Sequence, residues 1–228
     1  MSRSTSAGFD RMITVFSPEG RLYQIEYAFK PIVNSNVTAV AVKGLDSAVI
    51  ACQKKVQDKL LDPSMVTNMS NFNDRVGGCF IGLKADFLSL ATRCKYEAQV
   101  YEHDYGVQMP CDILSNRIGS LNQVHTQVAG QRPLGCCIIM IGIDDECGAM
   151  LYKVDPSGLS VPFRAISVGA KQSEANALLE RKLKKHPPLT KKEVVELALT
   201  VLLQAIGADL RSTDLEVAEV SFQDPLFK

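Results

Sequence analysis

Segments with strand-like patterning come in blocks along this chain, and that grouping constrains the fold more than any other feature. Runs at 37–42 and 48–52, rich in Val, Ala and Ile, flank Lys43-Gly44-Leu45-Asp46-Ser47, the pattern of a hairpin. A third strand is expected over 76–83, where Gly77-Gly78 permits close backbone approach. The spacing turns helical over 84–105, and Leu114, Ile118, Leu121, Val124 and Val128 then step by four and three residues through a second helix. A second strand pair follows over 135–143 and 149–154, joined by an acidic turn, before helices over 174–185 and 191–207 and a closing strand over 216–222. Strands gathered in blocks, rather than alternating one for one with helices, indicate the α+β class with mainly antiparallel sheets. Two helices after each block put helical layers outside two sheets, which is a four-layer αββα sandwich.

The longest apolar run, 134–143, has the length of a buried strand and falls well short of the ~18–20 residues of a membrane span. The 191–207 helix, capped by Thr190, is apolar nearly all round and is expected to be buried on several sides. Pro187-Pro188 closes the helix before it, and the basic run from Lys182 to Lys185, ending at His186, complements that helix's C-terminus. The first 35 residues differ from the rest, so the chain divides into 1–35, a polar tail and an added helix, and 36–228, the sandwich domain. Ser17-Pro18-Glu19-Gly20 reads as a turn or as a helix start with serine as cap. The helix expected over 22–33 carries an apolar stripe, Leu22, Ile25, Phe29 and Ile32, outside the sandwich core, and Pro31 should end or bend it.

Charge narrows the partners. Lys+Arg and Asp+Glu number 25 each, so the chain has no electrostatic footprint for nucleic acid or an anionic membrane, and a neutral surface favours life within an assembly. Seven cysteines, an odd number without a C-x-x-C pair, sit mostly in apolar company and read as reduced thiols of a cytosolic-type compartment. The short polar start has no apolar core for a secretory signal, which leaves the sequons at Asn36 and Asn68 without meaning.

Conventional catalytic patterns are missing. His103, His125 and His186 are far apart and have no ligand spacing to Cys, Asp or Glu, so neither metal nor cofactor is expected. There is no phosphate-binding glycine loop and no nucleophile elbow. Cys136 and Cys137, adjacent on a strand, should face opposite sides and serve packing. A four-layer sandwich can also use a freed N-terminal Thr, Ser or Cys as nucleophile, with its own amine as base. Here Thr38 lies inside the first strand behind about three dozen residues, and no Gly-Thr dipeptide is present.

The segment Gly8-Phe9-Asp10-Arg11, Ile13 to Leu22, Gln24 and Glu26-Tyr27-Ala28 closely resembles the signature of proteasome α-type subunits. Further matches are Gly82-Leu83 with Ala85-Asp86, Arg132-Pro133-Leu134-Gly135, Gly142-Ile143-Asp144 and Asp155-Pro156-Ser157-Gly158, so the likeness runs from about residue 8 to 222. The resemblance implies the same sandwich, of the Ntn-hydrolase-like kind with an extra N-terminal helix. It also implies a non-catalytic place in a seven-membered α ring of the 20S particle, in cytoplasm and nucleus, beside neighbouring α subunits, the β ring and activators. The positions of a β subunit's acidic partner and catalytic lysine fall near Gln53 and Asn68, amides that cannot carry the charge either role needs.

The resemblance further implies site roles. Phe9, Asp10, Arg11, Pro18 and Tyr27 would form the gate cluster; Gly20, Asn68 and Leu83 an activator pocket; Leu22, Ile25 and Phe29 a ring contact. Two departures stand out. Phe9 replaces a tyrosine and loses its hydroxyl, and Asn68 stands where many α subunits place a lysine that meets an activator's C-terminal carboxylate. Asp10, the only acid before Glu19, is expected to pair with a tyrosine or arginine of a neighbouring subunit. The rival readings are a threonine-type peptidase subunit of the same fold, exposed by an N-terminus at Thr38, and a free-standing α+β binding domain, exposed by a native size near 25 kDa.

Overall fold

The computed structural model describes residues 8–56, 58–184, 189–207 and 210–228. In chain order the elements are α1 (Tyr23–Asn34), β1 (Thr38–Lys43), β2 (Ser47–Gln53), β3 (Met69–Asn71), β4 (Val76–Gly82), α2 (Lys84–Tyr105) and α3 (Cys111–Gln127), followed by β5 (Cys136–Asp144), β6 (Gly148–Val154), β7 (Ser160–Pro162), β8 (Ala165–Gly169), α4 (Gln172–Leu183), α5 (Lys191–Ile206) and β9 (Leu215–Ser221). One sheet runs β8-β1-β2-β9 and the other β3-β4-β5-β6-β7, with every pairing antiparallel.

Period-two alternation builds the layers. On β1, Ala39 and Ala41 face the opposite sheet, while Val40 and Val42 face α4 and α5. On β5, Cys137, Ile139 and Ile141 turn to the inter-sheet core, whereas Cys136, Ile138 and Met140 turn to α2 and α3. The cysteine pair therefore divides between two cores, as expected. The inter-sheet layer sets small residues of β1 and β2 (Ala39, Ala41, Ala48, Cys52) against isoleucines of β4 and β5, so large side chains take up the space that small ones leave.

Glycines sit where backbones nearly touch. A Cβ at Gly77 would stand 2.6 Å from the Phe227 ring, and one at Gly78 2.6 Å from the carbonyl oxygen of Ile139.

The structure corrects several expectations. α1 continues through Pro31 to Asn34, because Pro31 lies in its final turn and removes only one hydrogen bond. Its stripe is not wholly outside the core: Ile32 is buried between the sheets and Phe29 packs beside it, which leaves Leu22 and Ile25 half-exposed. α5 buries one face, Val194, Ala198, Val201, Leu202 and Ala205, while Leu203 stays 38% exposed. Thr190 caps α5 reciprocally with Glu193, as the sequence indicated. β3, β7 and β8 were not foreseen; two of them are three-residue strands of mixed polarity, too short for alternation to register. The basic run's Lys185 and His186, Pro187-Pro188 and the first seven residues lie outside the described residues. Among the described residues no helix is long and apolar enough to cross a membrane.

Candidate functional site

The segment before the first strand folds against α1. Ser17 to Gly20 is a turn rather than a helix start: Gly20 N–H donates to the Ser17 carbonyl at 2.8 Å, with Gly20 at φ +75°. Pro18 pre-sets the turn and glycine relieves its left-handed corner. Buried Ser17 seals it by accepting the Arg21 N–H on its hydroxyl at 3.1 Å and donating its own N–H to the Arg21 carbonyl at 2.9 Å. The chain is thus reversed just ahead of Tyr23, where α1 begins.

α1 then gathers the residues assigned to the gate. The Gln24 amide donates to the Asp10 carbonyl oxygen. Partial desolvation, aided by the Asp10 carboxylate at its hydroxyl, holds the Tyr27 phenol above its ordinary range. Lys30 stands over the Tyr27 ring at 4.2 Å and Arg21 over the Tyr23 ring at 5.2 Å, while Arg21 grips Glu26 through two bonds of 2.7 and 2.5 Å. The Asp10 carboxylate therefore lies near Tyr27 of its own chain. Phe9 and Arg11 are exposed, and no hydrogen bond ties their side chains to the rest of the chain among the described residues.

A second group lies where β4 runs into α2. Asn68 pairs opposite Phe80, accepting its N–H at 2.8 Å, and Leu83 follows at the end of the same strand, 45% exposed. Leu83 borders Gly135 and Pro31: a Cβ at Gly135 would stand 3.0 Å from Leu83 Cδ1 and 3.2 Å from Pro31 Cγ. Gly20, grouped with them by sequence, makes no contact with Asn68 or Leu83 in this chain, its surroundings being open. The Asn68 amide donates to the main-chain carbonyl of Gln53 at 3.4 Å, so the residues at the acid and lysine positions lie side by side.

Residues not foreseen as functional complete this end. Lys84, the first residue of α2, reaches the Thr67 carbonyl and lies over the Phe87 ring at 4.1 Å; desolvation lowers its pKa against the opposing pull of Glu216. Asp86 accepts two bonds from Arg132, at 2.6 and 2.7 Å, and one from the Gly135 N–H at 2.8 Å. The Arg132 guanidinium holds that carboxyl below its usual range. An acid in a helix's first turn and an arginine ahead of Pro133 were the visible signals, but their pairing spans 46 residues.

Thr38, by contrast, is enclosed within its own chain. It is 1% exposed, continues directly from α1's connecting segment, and its hydroxyl accepts the Lys171 N–H at 3.1 Å.

Fold and site together define an αββα sandwich of the N-terminal-nucleophile class in which an added helix and turn precede the first strand. The family model for the proteasome subunit matches residues 33–220, and the model for the N-terminal signature of A-type proteasome subunits matches residues 9–30. This chain belongs to the proteasome subunit family, on its α-type branch. It is 47% identical over 227 residues to proteasome subunit alpha type-6 of Caenorhabditis elegans, covering 100% of this chain and 92% of that relative. The probable proteasome subunit alpha type-1 of Schizosaccharomyces pombe is 41% identical, covering 97% and 91%. Proteasome subunit alpha of Thermococcus sibiricus is 36% identical, covering 97% and 83%.

Proposed function

We propose that this chain is a non-catalytic member of the α ring, working as scaffold, gate element and docking surface for activators at the end of the 20S particle, in cytoplasm and nucleus. The observation that carries the reading is the state of Thr38. A threonine peptidase needs that hydroxyl beside a free α-amine, with a nearby acid and lysine. Here the residue is 1% exposed inside a strand that follows an ordered helix, and Gln53 and Asn68 hold the charged positions. The half-exposed Leu22 and Ile25 are the part of α1 offered to a neighbouring α subunit. The cluster of Asp10, Gln24 and Tyr27 anchors the root of the gate segment, with Phe9, Arg11 and Pro18 exposed around it. Exposed Leu83 and the chain around Asn68 offer this subunit's half of a pocket for an activator's C-terminus, while Gly20 stands apart from both.

Intact mass and native sizing of the purified protein test this. A chain that retains its N-terminal segment, in a particle of many hundreds of kilodaltons, supports it. A mature N-terminus at Thr38 would establish the peptidase instead, and a lone species near 25 kDa a free-standing domain.

A further inference from the structure

We infer that the outer edge of β8, together with the last turns of α4, is a docking groove for an extended acidic peptide. The inference goes beyond the function proposed above and uses none of the residues assigned there. β8 ends its sheet, with β1 on one side and no strand on the other among the described residues. In an antiparallel ladder, successive residues turn their backbone groups alternately toward the partner strand and away from it. The Arg164 carbonyl accepts the Lys43 N–H at 2.9 Å, and the Ala170 N–H donates to the Val37 carbonyl at 3.1 Å, so the even-numbered positions face β1. Ala165, Ser167 and Gly169 turn outward. The Asn176 side chain of α4 closes the Ser167 N–H at 2.8 Å. Ala165 has no such cap, and no hydrogen bond reaches its outward N–H or carbonyl among the described residues.

This open position borders a cavity of about 500 Å³ between the start of β8 and α4. Phe163, Leu179 and Leu183 give the cavity apolar walls, and exposed Arg164, Glu180 and Lys184 stand at its rim. Lys184 also lines an adjoining hollow with Leu178, Arg181 and Lys182. Four cations collect here against one carboxylate, and none of the four forms an ion pair among the described residues. The whole chain has 25 basic and 25 acidic side chains, so the excess is local and suits an anionic partner.

The charges alone would accept any polyanion, but the strand edge narrows the class. Ala165 presents a donor and an acceptor together, whereas the phosphodiesters of a nucleic acid only accept. A peptide in extended form supplies both groups at one residue and directs alternate side chains to one face. Apolar side chains on that face fill the cavity, and acidic ones between them meet the cations of the rim. The ligand class is a peptide segment that alternates acidic and apolar residues.

Fluorescence anisotropy on the purified protein, in the assembly in which it is isolated, tests this. The probe is a fluorescein-labelled heptapeptide of alternating glutamate and valine. Its comparisons are the same peptide with lysine for glutamate, two forms N-methylated at the glutamates or at the valines, and a single-stranded oligothymidylate. The acidic peptide is expected to bind and the lysine peptide to fail. One N-methylated form should bind about fivefold more weakly, the worth of one backbone hydrogen bond, and the other like the parent. Ala165→Pro, which removes an outward N–H and leaves the ladder to β1 intact, should weaken the parent peptide to the same degree. Arg164→Glu with Lys184→Glu should abolish binding. No binding of the acidic peptide at millimolar concentration overturns the proposal, and unchanged binding to the charge-reversed variant overturns its place on β8 and α4. Oligothymidylate binding as tightly as the peptide, with neither N-methylated form weakened, overturns strand pairing in favour of a general polyanion surface. Should Ala165→Pro fail to fold, the N-methylated probes on wild-type protein make the same comparison.

Discussion

Asp86 and Arg132, 46 residues apart, form a two-pronged ion pair at 2.6 and 2.7 Å that ties the first turn of α2 to the segment entering β5. The carboxylate is almost fully buried while the guanidinium is largely exposed, and the Gly135 N–H adds a third bond at 2.8 Å. Leu83 stands directly against Gly135, so this clamp fixes the surface on which docking is proposed.

Loss of the clamp should be costly and acid-sensitive. Asp86→Ala leaves the Gly135 N–H without its acceptor and is expected to destabilise the subunit by about 2–3 kcal/mol. The Asp86 pKa is lowered in the folded state, chiefly by Arg132. Its contribution is therefore complete above the unfolded value of about 4 and is lost as pH falls through the folded pKa. Thermal unfolding from pH 7 down to pH 3 checks both points. Wild type should lose stability below about pH 4 more steeply than Asp86→Ala, and parallel curves would contradict the sign.

Gly82→Ala should be among the most damaging single changes at this end. Gly82 has φ +137°, and a Cβ there would collide with the Gly135 carbonyl and stand 2.8 Å from the Cys136 Cα. Both neighbours are backbone, so neither can swing away. A loss of more than ~3 kcal/mol is expected, seen as poor recovery of soluble chain or a denaturation midpoint shifted far down.

The exposed part of the α1 stripe should govern assembly. Leu22→Asp with Ile25→Asp removes two half-exposed apolar contacts, worth about 1–2 kcal/mol each if a neighbour covers them. The double variant is expected to fold as a free chain and be absent from purified particles. Phe29→Asp, which disturbs packing on the inter-sheet core, should instead impair folding itself. Circular dichroism and native sizing separate the two.

At the gate, the Asp10 carboxylate lies near the Tyr27 phenol of the same chain, and the two are expected to act together. Asp10→Ala and Tyr27→Phe should each lower activator-stimulated peptide hydrolysis by roughly 2–5-fold, and the double variant no further than either. Phe9→Tyr should leave the rate unchanged or slightly raised. Mild detergent, which bypasses the gate, should return every variant to the wild-type rate. Additive losses would place Asp10 against a neighbour instead.

Thiol reactivity should single out one residue. Cys147 is exposed and the other six cysteines are buried. Burial pushes the Cys137 thiol up to about 12 and raises those of Cys94, Cys111 and Cys136 still further. A maleimide at pH 7 should modify Cys147 within minutes and the rest only after unfolding, as peptide mapping would show.

The sequence by itself determined the layers. Block-wise strands, the helical spacing from Lys84 onward and the reciprocal cap of Thr190 and Glu193 are local patterns, and local hydrogen-bonding geometry reads them directly. The α-type signature around Phe9 to Tyr27 was equally legible, since it is contiguous. Only the tertiary structure decided which of these residues meet. The Asp10 carboxylate came to lie near Tyr27 of its own chain, Phe29 packed against the inter-sheet core, and Asp86 found Arg132 across α2 and α3. Lys84 came to lie beside Thr67 while the Asn68 amide turned to the Gln53 carbonyl. Periodicity fixes which face a side chain leaves by, but its partner depends on how sheets and helices pack over long sequence separations. For charged and hydrogen-bonding groups, whose energies depend on ångström-scale distance and burial, that packing is what assigns the role.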